Sequence, residues 1–104
     1  MRYTIADFTK DIEKILSICQ EDLRDISMGK KKQATADQIE KTIIPEMNNL
    51  LKMIEKGEIP PKEQRWIKSS AYITRGWNWD IWSKDKLNIL LPELDDKYRY
   101  QLEE

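Results

Sequence analysis

Apolar residues recur at steps of three and four along the first quarter of the chain, the spacing that places side chains on one face of an α-helix. Thr4 and Asp7 open this run and resemble a capping box with Asp in the usual Glu position, and Gly29 lies where a helix would end. The pattern therefore predicts a long amphipathic helix over 5–28. Its expected buried face consists of Ile5, Phe8, Ile12, Ile15, Leu16, Cys19, Leu23 and Ile26.

A second amphipathic stretch follows a polar linker at 30–34. Thr35 and Gln38 form another candidate capping box, and Gly57 closes the stretch. Pro45 interrupts it, and a proline inside a helix removes a backbone donor and clashes with the preceding turn, at a cost of about 3 kcal/mol. Because the apolar spacing continues across the proline, we predict one helix that is kinked at Pro45. Its expected buried face is Ile39, Ile43, Met47, Leu50, Leu51 and Ile54.

The third predicted helix is less regular. The segment 58–61 contains two prolines and predicts a stiff extended connector, with Pro61 placed to be the first residue of a helix that ends at Gly76. The apolar positions in this helix form a narrow face of mostly small residues, which would allow a neighbouring helix to approach closely. That face consists of Trp66, Ile67, Ser70, Ala71 and Thr74.

Residues 77–82 alternate between apolar and polar, as a strand would. A lone strand is not stable without a partner, so we predict a Trp-rich loop that leads to Ser83 as the N-cap of a fourth helix. Pro92 lies within that helix, and we expect a second kink there. The apolar residues of the fourth helix are Leu87, Leu90, Leu91, Leu94, Tyr98 and Leu102.

Four amphipathic helices joined by short linkers predict an all-α fold: a four-helix, largely antiparallel bundle with kinks at Pro45 and Pro92, forming a single helical domain over 1–104. The nearly balanced charge, 18 basic against 19 acidic residues, together with apolar residues throughout, is typical of a folded chain and not of a disordered one. In size, helix content and histidine-poor composition the chain is similar to small bacterial immunity proteins, a likeness of architecture that involves no motif.

The composition argues against most catalytic classes. The chain has no histidine and one cysteine, which excludes Ser-His and Cys-His pairs and zinc sites of the common types. The three glycines are too far apart for a phosphate-binding loop, and the carboxylates lie on the predicted solvent faces. We therefore expect a protein that is not an enzyme and that has no catalytic residue, cofactor or metal site. Cys19 is expected to be a small buried side chain.

Nothing in the sequence predicts a membrane protein. No apolar run approaches the roughly 18 residues needed to span a bilayer, and the first ten residues lack the layout of a signal peptide. We expect a cytoplasmic protein.

The stretch 62–86 supports one alternative function, the binding of single-stranded nucleic acid. It holds six basic and three acidic residues together with all four tryptophans, and Lys30–Lys32 could join it in space. Aromatic rings that stack on bases and cations that hold phosphates are what such a groove needs. The net charge of −1 and the pI of about 5.6 oppose this function.

The tryptophans favour a different function. Three of them lie within six positions, and Trp and Arg dominate the energetics of protein interfaces. They could complete the core at one end of the bundle, or one or two could remain exposed as an interface. We predict a non-catalytic protein-interaction module that masks or sequesters another protein or a second copy of itself. The predicted partner-binding residues are Trp77, Trp79, Trp82, Arg75 and Asp80.

Overall fold

The computed structural model describes residues 2–103 and is an all-α, four-helix bundle. A short strand, β1 (Tyr3–Thr4), leads into helix α1 (Ile5–Ser27). The second helix, α2, is continuous over 36–56 through an α-helical turn, a π-helical turn and a longer α-helical part. After it come a 3₁₀ turn, two further helices and a second strand. The three parts of α2 are Ala36–Gln38, Ile39–Ile43 and Ile44–Lys56. The later elements are the 3₁₀ turn Lys62–Gln64, α3 (Lys68–Arg75), α4 (Lys86–Tyr100) and β2 (Leu102–Glu103).

Both predicted capping boxes are present and fix the starts of the first two helices. The Thr4 hydroxyl accepts the backbone N–H of Asp7 at 3.2 Å, and the Asp7 carboxylate accepts the N–H of Thr4 at 3.0 Å. Thr35 and Gln38 make the equivalent pair, each bond at 3.1 Å. Each box satisfies backbone donors that the first turn of a helix leaves without an intrahelical acceptor.

The irregularity predicted at Pro45 takes the form of a π-helical turn. The backbone N–H of Ile44, the residue before the proline, bonds to the carbonyl of Ile39 five residues back. Single π turns inside α-helices accommodate a local break in the regular hydrogen-bond ladder. The helix therefore continues past Pro45, and α4 likewise continues past Pro92.

Helix α1 packs against both α2 and α4, and its direction is opposite to that of α4. Near its start, the Phe8 ring stacks on Tyr98 near the end of α4, with ring centroids 4.8 Å apart. Asp11 lies 3.5 Å from the Lys97 ammonium in the same region. The strands β1 and β2 form a two-residue parallel pair at this end, which the sequence did not predict.

The apolar faces predicted for α1, α2 and α4 form the core. Burial of the Cys19 thiol raises its pKa to about 12, so this side chain is an unreactive part of the core, as expected. Among the described residues, no helix combines the length and the apolar character needed to cross a bilayer. The fully buried members of the three faces include Phe8, Ile12, Ile15, Cys19, Ile39, Ile43, Met47, Leu87, Leu91, Leu94 and Leu102.

The prediction for the third helix was wrong at its start and on its face. The helix begins at Lys68, because Arg65 and Ile67 before it have extended backbones that hydrogen bonds to other parts of the chain hold in place. The buried Arg65 guanidinium donates to the carbonyls of Pro60 and Leu102 at 2.8 and 3.1 Å, and the Ile67 N–H donates to Asp95 at 2.7 Å.

The shorter helix presents a different face to the core from the one predicted. Ser69 and Ile73 are its buried residues, whereas Trp66 and Thr74 are exposed. Of the predicted face, Ile67 alone is fully buried, and it lies just before the helix.

Candidate functional site

The Trp-rich turn, residues 76–85, connects α3 to α4 and is fixed by side chains from outside it. The side-chain oxygen of Gln33 accepts a hydrogen bond from the Asp80 N–H at 2.7 Å. The backbone N–H of Gln33 donates to the Asp85 carboxylate, also at 2.7 Å. From α4, the Asn88 amide donates to the carbonyls of Asp80 and Ser83 at 3.1 and 3.0 Å. These contacts hold a ten-residue connection in one conformation.

Ser83 is not the N-cap that the sequence predicts. The first helical residue is Lys86 and the cap position is Asp85, while the Ser83 hydroxyl accepts the Asp85 N–H at 3.2 Å. The bonds from Asn88 to the turn keep residues 83–85 out of the helix, because they draw the backbone of the turn toward the side of α4.

A row of aromatic rings links α3 to the turn. Trp77 lies 5.4 Å from Tyr72 on one side and stacks on Trp79 at 5.4 Å on the other. Trp79 is only 6% exposed, and its indole N–H donates to the Gln38 side chain at 3.1 Å. Gln38 thus caps α2 and satisfies the one polar group of a buried tryptophan. Trp79 belongs to the core, and Trp77 is half-buried above it.

The tip of the turn, Ile81 and Trp82, lies on the side away from the core and faces solvent. Ile81 is 67% exposed and Trp82 is 83% exposed. The Asp80 carboxylate accepts the Trp82 N–H at 2.9 Å, which fixes the backbone beneath the exposed ring. Arg75 and Asp80 are exposed as well. Of the five residues predicted from the sequence, the structure therefore brings four to the surface at least in part and places Trp79 inside.

A group of carboxylates lies beside the turn, around the linker that holds it. Lys32 lies 3.6 Å from the buried Asp22 and 3.3 Å from Asp25. Burial raises the pKa of Asp22 above its ordinary value of 3.8; Lys32 opposes this effect, and the neighbouring Asp85 and Asp25 add to it. Among the described residues no group of three or more side chains of the metal-binding types is arranged to hold a metal ion.

We expect the substitution Asp22→Asn to change how stability depends on pH. The native chain holds the Asp22 proton more tightly than the unfolded chain does, so this carboxylate lowers the free energy of unfolding as the pH rises from about 3.8 through its folded-state pKa. The stability of the Asn variant relative to the parent should therefore rise with pH across that window. Urea unfolding at a series of pH values measures it.

Asp7→Asn is the matched control for this experiment. The Thr4 backbone N–H and hydroxyl lower the pKa of Asp7, so its carboxylate stabilises the native chain above its folded-state pKa. The stability of this variant relative to the parent should fall as the pH rises from the folded-state pKa of Asp7 to about 3.8, and should stay level above that. If the two variants showed the same trend, the assignment of Asp22 would be wrong.

An open groove of about 600 Å³ lies between α2 and the segment 60–72, and the sequence did not predict it. Trp66 is 47% exposed and Tyr72 41% exposed, and both line the groove. Because the predicted third helix began too early, its periodicity assigned Trp66 to a buried face. Burial alternates over Arg65, Trp66 and Ile67 in the structure, but their sequence is polar, apolar, apolar and gives no local signal for an extended segment.

One of the six basic residues of 62–86 does not lie at the surface. Arg65 is buried and bonds to backbone carbonyls. In the tri-lysine linker, Lys32 contacts Asp22 and Asp25, and Lys30 lies 3.7 Å from Asp25. These contacts reduce the positive charge that phosphates would meet. No protein-family model, curated protein or solved structure matches this chain.

Proposed function

We propose that the protein is a non-catalytic interaction module that occupies a surface of a partner protein through the tip of its Trp-rich turn. One observation carries this proposal: two large apolar side chains, Ile81 at 67% and Trp82 at 83% exposure, are presented by a backbone that is fixed from several sides. A solitary exposed apolar residue is common on protein surfaces. A rigidly held, exposed Trp beside an exposed Ile is less common.

The rigidity of the turn favours binding for an energetic reason. Association requires that loops and side chains at the interface become ordered, and this lowers affinity unless the order exists beforehand. The contacts from Gln33 and Asn88 supply that order in the free protein. Trp82 then offers a large ring, of the kind that buries about 150–250 Å², without further cost in backbone entropy.

The five residues predicted to bind a partner take different parts in this proposal. Trp79 supports the turn from the core, Trp77 stacks on it, and Trp82 is the contact residue. Arg75 and Asp80 remain predicted contacts at the polar rim, where charges affect the rate of association more than the affinity. The partner is another protein or a second copy of this chain.

Nucleic-acid binding is the weaker alternative. It needs rings and cations on one continuous surface, and the contacts of Arg65, Lys30 and Lys32 with backbone carbonyls or carboxylates oppose that arrangement. Since Trp79 is buried, it has no free face on which a base could stack.

We expect Trp82→Ala to fold normally and to lose its partner. The exposed ring contributes little to folding, so the free energy of unfolding should change by less than about 0.5 kcal/mol. An anchor residue contributes about 2 kcal/mol or more to binding. Affinity capture from a lysate of the native source, followed by mass spectrometry, tests loss of the partner, and light scattering after size exclusion tests self-association.

Tyr100→Ala is the matched control, because Tyr100 is another exposed aromatic residue, near the opposite end of α4. This variant should capture the same proteins as the parent chain. If Trp82→Ala captured them equally well, or if it failed to fold, the tip of the turn would not be the binding surface.

A further inference from the structure

The groove between α2 and the segment 60–72 is a second surface that the proposed function does not use. Pro45, Leu50 and Met53 of α2 line it, and Trp66 and Tyr72 line it from the other side. It therefore combines apolar walls with two exposed aromatic rings in a concave shape. Concave sites with these features are the usual places for ligands to bind.

The charged side chains that line the groove are two lysines and one glutamate. Glu46 is its one carboxylate, and α3 already occupies it: the backbone N–H groups of Lys68 and Ser69 donate to its two oxygens at 2.6 and 3.0 Å. The Ser69 hydroxyl adds a third bond at 2.6 Å. Because Glu46 caps a helix in this way, its charge is largely satisfied within the protein.

Three other groups in the groove have donors to offer a ligand. Lys68 contributes an ammonium group along its edge, and so does Lys41, whose exposed ammonium also lies 3.7 Å from the exposed Asp37 carboxylate. Tyr98 also lines the groove, and its hydroxyl, which makes no hydrogen bond to another of the residues 2–103, keeps some access to solvent there. A hydroxyl at the wall of a groove can donate to an acceptor on a ligand.

We infer that the groove binds an extended, proline-containing and acidic segment of a partner protein. Proline-rich segments adopt a preformed extended helix and dock between aromatic side chains. The backbone carbonyls of such a segment can accept hydrogen bonds from Lys68 and from the Tyr98 hydroxyl. Carboxylates in the segment complement Lys41 and Lys68.

This inference goes beyond the proposed function and does not depend on it. The two surfaces are nevertheless adjacent, because Tyr72 lines the groove and contacts Trp77 of the turn at a centroid distance of 5.4 Å. One partner could therefore contact both surfaces.

The test uses the full chain and three synthetic peptides of about ten residues, long enough for several turns of the extended helix. The first carries prolines flanked by glutamates, the second has lysines in place of the glutamates, and the third has alanines in place of the prolines. Tryptophan fluorescence and calorimetry measure binding. The first peptide should bind saturably and more weakly as salt is added, and the other two should bind at least about tenfold more weakly.

Variants of the chain assign the binding to the groove. Trp66→Ala should weaken binding of the acidic peptide at least about tenfold, and Lys68→Gln should weaken it about two- to fivefold. Tyr98→Phe removes only the hydroxyl; it should weaken binding severalfold and leave thermal unfolding unchanged, because that hydroxyl has no partner among the described residues.

Trp82→Ala should bind the acidic peptide like the parent chain, so failure of this inference and failure of the proposed function are distinguishable. Equal binding of the three peptides, no binding of the acidic one, or an unchanged affinity in Trp66→Ala would overturn the inference. Self-association that Trp66→Ala abolishes would also overturn it, since a second copy of the chain would then occupy the groove.

Discussion

Trp79→Ala should reduce the free energy of unfolding by about 3–5 kcal/mol, the loss expected when a large aromatic side chain is removed from a core. The ring is 6% exposed and stacks on Trp77. The substitution also leaves the Gln38 side chain without the indole N–H that it accepts at 3.1 Å. Urea unfolding followed by circular dichroism measures the loss.

Trp82→Ala is the control for this effect of Trp79, because it removes the same ring from the same turn at 83% exposure. The two tryptophans are three positions apart, yet the expected losses differ by at least about 2.5 kcal/mol. If the two variants unfolded at the same urea concentration, the structure of the turn described above would be wrong.

Arg65→Met should reduce the free energy of unfolding by about 3 kcal/mol. Methionine retains much of the apolar stem, so the main loss is of hydrogen bonds: the guanidinium donates to the carbonyls of Pro60, Tyr98 and Leu102 at 2.8, 3.5 and 3.1 Å. A buried carbonyl left without a donor costs about 1–3 kcal/mol. Amide exchange should also become faster in β2 and in the last turn of α4, which Arg65 joins to the segment before α3.

A second variant at this position separates charge from geometry, and a variant at another arginine serves as the control. Arg65→Lys retains the charge but should still be destabilised, since one ammonium group cannot reach carbonyls that a planar fork reaches in several directions. Arg75→Met removes an exposed arginine and should change stability by less than about 0.5 kcal/mol. If Arg65→Met were as stable as Arg75→Met, Arg65 would not hold these segments together.

Periodicity predicted α1, α2 and α4 because each has a wide apolar face, and α1 and α2 also have recognisable starts. Thr4 and Thr35 begin their helices through local contacts between residues three apart, which the sequence contains in full. Gly57 ends α2 in the left-handed region, at φ 68°, which glycine adopts without strain. Such signals depend on neighbouring residues alone.

The third helix was predicted wrongly because its start is set by distant residues. Glu46 caps α3 from α2, and Asp95 of α4 holds the Ile67 N–H before it. These contacts join residues 22 and 28 positions apart. They favour an extended segment where local propensity favours a helix, and tertiary contacts commonly override propensity in this way.

The candidate site was predicted in part. The sequence placed a Trp-rich loop between two helices, and it left open which rings are buried. The choice depends on Gln33, Gln38 and Asn88, polar residues that have no motif of their own and act only once the helices are packed. The groove could not be predicted, because the extended segment that forms one of its walls was taken for a helix.

The pairing of Tyr3–Thr4 with Leu102–Glu103 places the first and last described elements side by side, so the path of the backbone over 3–103 forms a nearly closed ring. Joining two residues so far apart in the chain is entropically expensive, and a parallel pair of two residues could not offset that cost alone. The opposed packing of α1 and α4 brings these strands together, so the pair adds a contact between segments that are already close. A backbone joined there by a short linker and cut within another exposed connection would place the same helices in the same order around the bundle.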